Sequence, residues 1–253
     1  MSPLLPIPPL ALRQGVGPFA DAQLFARSGA DLAGEIVQLC SLPRDARVLE
    51  IGCGCGRLAR GLADHLTPHG RFQGFDIDRL ATAWCDQNLG PRLPNFRFTA
   101  VDVRGGSHNA SGSIPAERFC FPYADSEFDL AIAASVFTHM LPDGIVRYVS
   151  EAHRVLRPEG ALFMTVLLFD QTAAIAVRSG TTIFNFIHPV GPCLTFDAEK
   201  PEEGIACSEN WLTDVLKENG FVIECLLRGN WRTTNSYCVR HDYVLARNAP
   251  ERL

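Results

Sequence analysis

The sequence has no apolar run long enough to cross a membrane, no excess of positive charge and no basic segment before its apolar start. A membrane helix needs about 20 apolar residues, and the opening MSPLLPIPPL lacks the basic region of a signal peptide. The net charge of −5 is unlike that of proteins that bind a nucleic-acid backbone. We therefore expect a cytoplasmic protein that binds neither membranes nor nucleic acid.

Cysteines with metal-ligand spacing are also missing. The nine cysteines are scattered, and Cys53-x-Cys55 is the only close pair. Zinc sites favour C-x2-C pairs, with a second pair or histidines downstream. We expect no metal, and reduced cysteines that pack as small hydrophobic residues.

What the sequence does contain is a glycine-rich stretch between two apolar segments. Val48–Ile51 is predicted to be a short buried strand, Gly52, Gly54 and Gly56 follow it, and a helical pattern runs from Arg57 to Leu66. Glycines let the backbone turn sharply and let a ligand approach it. The following helix directs its first N–H groups and its positive dipole end into the turn. This arrangement indicates a nucleotide site.

Two nucleotide motifs do not fit this turn. A dinucleotide fingerprint, G-x-G-x-x-G, would require its third glycine at Arg57, and no Lys-Ser/Thr pair follows as in a P-loop. The sequence also lacks a Tyr-x-x-x-Lys pair. A nicotinamide-dependent oxidoreductase is therefore the less favoured alternative.

The turn together with Glu50 has the form E-x-G-x-G-x-G, which resembles motif I of the class I S-adenosylmethionine (SAM) methyltransferases. The later segments FDL, SVFTH and EAHRVLRPEG, between Phe128 and Gly160, resemble signatures of the small-molecule members. The resemblance covers roughly residues 45–170, and Glu159 replaces a usual glycine. It implies an α/β, doubly wound, Rossmann-like fold with a seven-stranded, mostly parallel sheet and terminal antiparallel strands.

The pattern of apolar residues predicts the other elements. The predicted helices and strands are helices Asp21–Cys40, Ala81–Leu89, Gly144–Leu156 and Asn210–Asn219, and strands Arg71–Ile77, Phe96–Val101, Phe128–Ser135, Ala161–Phe169, Phe221–Leu227 and Tyr237–Ala246. A turn at Arg157–Gly160 is expected to precede the fifth strand.

The chain is long enough for one α/β domain with insertions. We expect residues 1–44 to form an N-terminal arm, extended over residues 1–20, and a helix that covers the cofactor. Residues 45–253 would form the SAM-binding domain. Within it, the broken apolar segment 170–208 is predicted to be a substrate lid, with a structural or dimerising insertion as the alternative. Both a monomer and a homodimer remain open.

Acids at strand ends are the predicted cofactor ligands. Asp76 ends the second strand, about 20 residues after the glycine turn, where such folds place a carboxylate for the ribose. Ile77 would lie at the adenine face, and Asp102 would accept a hydrogen bond from the adenine amino group unless it is a simple loop acid. The predicted cofactor contacts are Glu50, Gly52, Cys53, Gly54, Gly56, Asp76, Ile77, Asp102, Val103 and Ser135. Phe25, Arg27 and Gly29, on the predicted helix before the first strand, are weaker candidates for contact with the methionine end of the cofactor.

Histidine is the predicted base. His139 follows the fourth strand, at the edge where ligands bind in such sheets, and an imidazole pKa near 6.5 suits a base at neutral pH. A histidine that merely orders the loop is the alternative, and His188 is the second candidate. The histidines expected to be peripheral are His65, His69, His108, His153 and His241.

The leading functional hypothesis is methyl transfer from SAM to an oxygen or nitrogen of a small, partly apolar metabolite, an intermediate of secondary metabolism. The alternative is a SAM fold that only binds, or one recruited to another reaction such as cyclisation. Both would share the same glycine turn, so the fold cannot separate them.

Overall fold

The computed structural model describes residues 5–106, 108–233 and 240–249. Over these residues the α-helices are α1 Leu10–Gln14, α2 Ala22–Leu39, α3 Arg57–Leu62, α4 Arg79–Asn88, α5 Pro142–Val155, α6 Gln171–Ser179 and α7 Glu209–Glu218. The strands are β1 Arg47–Ile51, β2 Arg71–Asp76, β3 Phe96–Ala100, β4 Phe128–Ala133, β5 Leu156–Val166, β6 Leu168–Phe169, β7 His188–Val190, β8 Cys193–Thr195, β9 Ile205–Ser208, β10 Phe221–Leu227 and β11 Asp242–Asn248. Three short 3-10 turns are Ala116–Arg118, Phe137–His139 and Pro201–Glu203.

Seven of the described strands form one sheet, in the order β10-β11-β5-β4-β1-β2-β3. Strand β2 runs parallel to both β1 and β3, whereas β11 runs antiparallel to both β5 and β10. This confirms the predicted fold class, an α/β, Rossmann-like, mostly parallel sheet with antiparallel pairing at one end. The predicted strand Tyr237–Ala246 begins outside the described residues, and the observed β11 starts at Asp242.

Apolar strands and capped helices account for the local structure. Val48, Leu49 and Ile51 are fully buried, as expected for a strand covered on both faces. Helix α2 begins after Asp21, whose side chain accepts a hydrogen bond from the Leu24 N–H at 2.7 Å. The predicted boundaries of both elements are therefore correct to within two residues.

The described residues fall into two compact units. The first contains residues up to Asp102 together with Phe128–Ile132. The second contains Val103–Glu127 and the residues from Ala133 onward. The predicted boundary at residue 45 and the lid function of 170–208 stay predictions.

Several predicted boundaries need correction. Residues 1–20 are not extended throughout, because α1 forms after Pro9. Helix α3 ends at Leu62 rather than Leu66, and β4 ends at Ala133 rather than Ser135. The turn predicted at 157–160 lies within the bounds of β5, where Glu159 adopts a left-handed φ of 64°. Glycine tolerates that conformation better, which agrees with the glycine usual at this place in the resembled family.

The insertion 170–208 is more ordered than its broken apolar pattern suggested. It contributes α6, and its strands join a four-stranded sheet in the order β6-β9-β8-β7. A buried cluster lies beneath: Leu167, Ala173, Phe186, Ala206 and Trp231. The apolar pattern that looks broken in the sequence therefore contains regular elements that contribute to a buried cluster.

Six of the eight described cysteines are buried free thiols, and Cys238 lies outside the described residues. None of the described helices combines the length and the apolar character that a membrane crossing requires. Over the same residues, no group of three or more His, Cys, Asp or Glu side chains is arranged to hold a metal ion.

Candidate cofactor and substrate sites

The glycine turn between β1 and α3 is closely folded. Gly52, Gly54 and Gly56 all have positive φ, of 72°, 49° and 80°, a region that side chains rarely adopt. The N–H groups of Gly52 and Cys53 both donate to the Phe75 carbonyl of β2, at 2.9 and 3.0 Å. The turn is thereby fixed to the neighbouring strand.

The space around two of these glycines also excludes a side chain. A Cβ at Gly54 would lie 2.6 Å from Cγ1 of Val16, and one at Gly56 would lie 2.7 Å from Cδ1 of Leu89. Substitution at either position would therefore add a steric conflict to the backbone strain.

Asp76, at the end of β2, is held directly against the turn. Its Oδ2 accepts a hydrogen bond from the Gly54 N–H at 2.6 Å, and its Oδ1 accepts one from the Asp78 N–H at 2.8 Å. Asp78 in turn caps α4, as predicted, by accepting from the N–H groups of Leu80 and Ala81. The orientation of the Asp76 carboxylate is thus fixed by backbone donors on both sides.

Glu50 is a buried acid beside the same turn. It is 3% exposed, and its Oε2 has no hydrogen-bond partner among the described residues. Burial raises the pKa of Glu50 well above its ordinary value, Arg57 opposes this effect and Asp76 adds to it. A buried oxygen without a partner is costly, so this carboxyl is suited to a ligand that brings a hydrogen-bond donor.

The N-terminal segment packs onto the turn. Phe25, Cys55 and Ala81 form a buried cluster against which Ile7, Leu12, Val16 and Phe19 pack. The buried Arg13 guanidinium donates to the carbonyls of Phe19 and Ala20 and holds this segment in shape. The structure therefore assigns Phe25 to packing.

The other two weak candidates on α2 have different surroundings. Gly29 lies against the Arg57 backbone, since a Cβ there would be 2.1 Å from the Arg57 carbonyl oxygen. Arg27 is exposed.

The remaining predicted cofactor contacts of the first unit follow β2 and β3. Ile77 is half-buried. Asp102 forms an exposed ion pair with Arg79 at 3.0 Å, and the Val101 N–H before it donates to the Asp76 carbonyl at 2.9 Å. Asp76 and Asp102 therefore lie at the ends of hydrogen-bonded neighbouring strands.

In the second unit, Ser135 and His139 share the turn that follows β4. Ser135 has a left-handed φ of 62°, and its N–H donates to Oγ1 of Thr165 at 2.8 Å. Thr138 Oγ1 donates back to the Ser135 carbonyl at 3.1 Å. Val103 is buried elsewhere in this unit and forms an isolated bridge with Ile114.

His139 is oriented by the insertion. Its Nδ1 lies 3.0 Å from the Glu202 carbonyl oxygen. The residue is exposed to solvent overall. Partial desolvation of the ring lowers the pKa of His139, and nearby His108 lowers it further, whereas the Glu202 carbonyl and Glu203 oppose the shift.

The second candidate base and two overlooked histidines lie as follows. His188 opens β7, is half-buried and faces Thr195 across the ladder. The His108 ring centroid is 6.3 Å from that of His139, and His241 Nδ1 is 3.4 Å from Ser135 Oγ. Two of the histidines predicted to be peripheral therefore lie beside predicted site residues. No sequence motif marked them, nor the Glu202 carbonyl.

Comparison with known proteins agrees with this architecture. Residues 48–160 match the family model described as a methyltransferase domain. An uncharacterised protein of Haemophilus influenzae is 28% identical over 119 residues, which are 47% of this chain. The match spans 41% of that protein's length.

Solved structures share the fold at low identity. The [4+2]-cyclase SpnF has a TM-score of 0.58 at 18% identity, over 87% of this chain and 81% of that one. The 1,6-didemethyltoxoflavin-N1-methyltransferase of Burkholderia thailandensis, solved with 1,6-didemethyltoxoflavin and S-adenosylhomocysteine, has a TM-score of 0.59 at 18% identity, over 95% and 84%. Residues 48–160 are therefore a methyltransferase domain, and its glycine turn and fold agree with those of the class I SAM-dependent methyltransferases.

Proposed function

We propose that this protein transfers the methyl group of SAM to an oxygen or nitrogen of a small, partly apolar metabolite, an intermediate of secondary metabolism. The observation that carries the proposal is the E-x-G-x-G-x-G turn, with three left-handed glycines and a carboxylate fixed beside it, inside the matched methyltransferase domain. Metabolite methylation agrees with the small-molecule methyltransferase among the structural neighbours.

The residues of the first unit fit the cofactor chemically. Glu50 offers a buried oxygen that needs a donor, which an ammonium or hydroxyl group supplies. We propose that the amino-acid tail lies along Gly52–Gly56, including Cys53, and that Asp76 accepts hydrogen bonds from the ribose. Ile77 and Asp102 would contact the adenine. Val103 and Ser135 remain predicted contacts.

His139 is the proposed general base. When bound, the sulfonium supplies an already activated methyl group, so the protein's task is to align the nucleophile and exclude water. His139 Nε2 would take the proton that a substrate hydroxyl or N–H loses on methylation. His188 remains the second choice.

Mass spectrometry of reaction mixtures tests the proposal. The protein with SAM and a panel of phenols, enols and heteroaromatic N–H compounds should give a product heavier by about 14 Da, together with S-adenosylhomocysteine in equal amount. A Gly54→Val variant should give neither, because its side chain conflicts with Val16. If the protein binds SAM tightly but consumes none of it with any compound of this panel, the result would contradict methyl transfer to these classes of substrate.

A recruited fold is the second candidate, and the likeness to the cyclase SpnF favours keeping it. Such a protein would bind SAM, leave it unchanged and return a product isomeric with its substrate. A nicotinamide-dependent oxidoreductase would instead be stabilised by NADH. A ligand at 100 times its Kd stabilises a fold by about 2.7 kcal/mol, so thermal unfolding with SAM or NADH separates the cofactors.

Replacing Asp76 should weaken SAM binding. Hydrogen bonds to a charged group contribute about 1.5–3 kcal/mol each, so we expect Asp76→Ala to raise the Kd for SAM about 10- to 100-fold. Isothermal titration calorimetry measures this. Asp86→Ala, which removes an exposed acid of the same unit, is the control and should bind normally. An unchanged Kd in Asp76→Ala would remove Asp76 from the ribose.

A further inference from the structure

Glu202, in the middle of the 3-10 turn Pro201–Glu203, contacts two other segments of the second unit: the turn at His139 and the loop at Gly106. The Glu202 carbonyl oxygen lies 3.0 Å from His139 Nδ1. The Glu202 side chain accepts a hydrogen bond from the Gly106 N–H, at 3.1 Å to Oε2. The backbone and the side chain of Glu202 thus hold different partners.

This turn is anchored rather than loose. Thr195, which is fully buried, donates from Oγ1 to the Pro201 carbonyl at 3.1 Å. Asp197 Oδ1 accepts from the Lys200 N–H at 3.0 Å. Directly after the turn, a Cβ at Gly204 would lie 2.0 Å from the Phe196 ring, so the chain there passes tightly over an aromatic side chain. The Glu202 carbonyl is therefore presented from a fixed position.

The side-chain contact fixes the turn from the other direction. Gly106 has a φ of 37°, and a Cβ there would lie 3.2 Å from Cβ of Glu202. Gly106, which follows β3, is thereby joined to the insertion at Glu202.

A carbonyl oxygen can only accept a hydrogen bond, so the nitrogen that faces it must carry the proton. His139 is then protonated at Nδ1, and in the neutral ring the lone pair lies on Nε2. The hydrogen bond at one ring nitrogen determines the role of the other.

We propose that Glu202 is a positioning residue, whose carbonyl selects the Nδ1-protonated form of His139 and whose carboxylate steadies that carbonyl through Gly106. The inference deepens the proposed function and rests on it, since a basic Nε2 matters only if His139 accepts a substrate proton. It also assigns the insertion a role in forming the base.

Nitrogen-15 NMR of the histidine side chains tests the tautomer without any substrate. At pH 8 the His139 ring, identified by the signals that vanish in His139→Gln, should show a protonated Nδ1 and an unprotonated Nε2. A protonated Nε2 in the parent protein would overturn the inference, whatever the protein's activity.

Variants of the acid test the side-chain contact. Glu202→Ala should populate both tautomers and lower kcat about tenfold, the equivalent of about 1.4 kcal/mol, with KM changed less than about twofold. Glu202→Gln keeps an acceptor oxygen for Gly106, so it should retain most of the single tautomer and most of the parental kcat. Glu199→Ala removes an exposed acid from the same segment and should match the parent. A single tautomer and parental kcat in Glu202→Ala would refute the positioning role.

The two hypotheses fail differently. If His139 is protonated at Nδ1 but His139→Ala turns over normally, the tautomer selection stands and the base assignment fails. If Nε2 carries the proton and His139→Ala is inactive, the base assignment stands and the role of Glu202 fails.

Discussion

Asp242→Ala is expected to lower the free energy of unfolding by about 3–5 kcal/mol, the usual cost of removing one partner from a buried ion pair. Asp242 is fully buried, and Arg232 is 4% exposed. The Arg232 guanidinium donates to both carboxylate oxygens, at 2.6 and 2.9 Å. Trp231 Nε1 and the N–H groups of Leu168 and Gly229 complete the set, at 2.8–2.9 Å. The alanine variant would remove the acceptor that these donors share, and Arg232 would keep only the Leu168 carbonyl and the nearby Asp170 carboxylate.

The same carboxylate predicts a response to acid. Burial by itself would raise the pKa of Asp242, but the hydrogen bonds from Arg232, Trp231 and the Leu168 N–H together hold it below its usual value. A lowered folded-state pKa adds stability at pH above the ordinary carboxyl pKa of about 3.9, and this stability is lost as the pH falls through the folded-state value. Asp242→Ala should therefore lose less stability than the parent between pH 7 and acid pH.

Urea unfolding measures both effects, through the midpoint at unchanged m-value. The matched control is Glu224→Ala, because Glu224 forms a bidentate pair with Arg247 on the surface. Such exposed pairs contribute at most about 1 kcal/mol. Equal midpoints for the two variants would contradict the buried network. Asp242→Leu combined with Arg232→Met should recover part of the loss, because no guanidinium is then left unpaired.

The sequence predicts the strands and helices around the glycine turn well, because the residues that specify these elements are close together in the chain. Gly52, Gly54 and Gly56 stand where the backbone adopts positive φ values that glycine meets without strain, and Asp78 caps the helix that follows it. Apolar strands β1 and β4 alternate with helices, which leaves few other topologies. These features depend on neighbouring residues in the chain.

The insertion could not be predicted in the same way. Its strands β7, β8 and β9 are three or four residues long, too short for a periodic pattern. They form because Phe186 and Trp231, far apart in sequence, meet in one cluster. The contact that orients His139 comes from a backbone carbonyl, which any residue at position 202 would carry, so no residue type could have revealed it.

His139→Gln is expected to lower kcat about 10²- to 10⁴-fold, the range typical for loss of a general base, while the Kd for SAM stays within about twofold. The glutamine side chain has no group that accepts a proton at neutral pH. The parent's pH profile carries a second signature. Partial desolvation of the ring, aided by His108, lowers the pKa of His139, and only the neutral ring can accept a proton. The kcat should therefore rise with pH through a value below the ordinary 6.5 and be level at pH 7–8, whereas the variant should lack this limb.

Single-turnover kinetics across pH 5–8 separates the chemical step from product release, which could otherwise hide the effect. His69→Gln removes an exposed histidine and should keep the parental rate and the parental limb. Parental kcat in His139→Gln would retire His139 and direct attention to His188. A low rate that retains the acidic limb would mean that another group takes the proton and that His139 only orders the turn after β4. If His139 is the base, its replacement must both lower the rate and abolish the rise of the rate with pH. A histidine that only orders the loop would lower the rate and leave the pH profile unchanged.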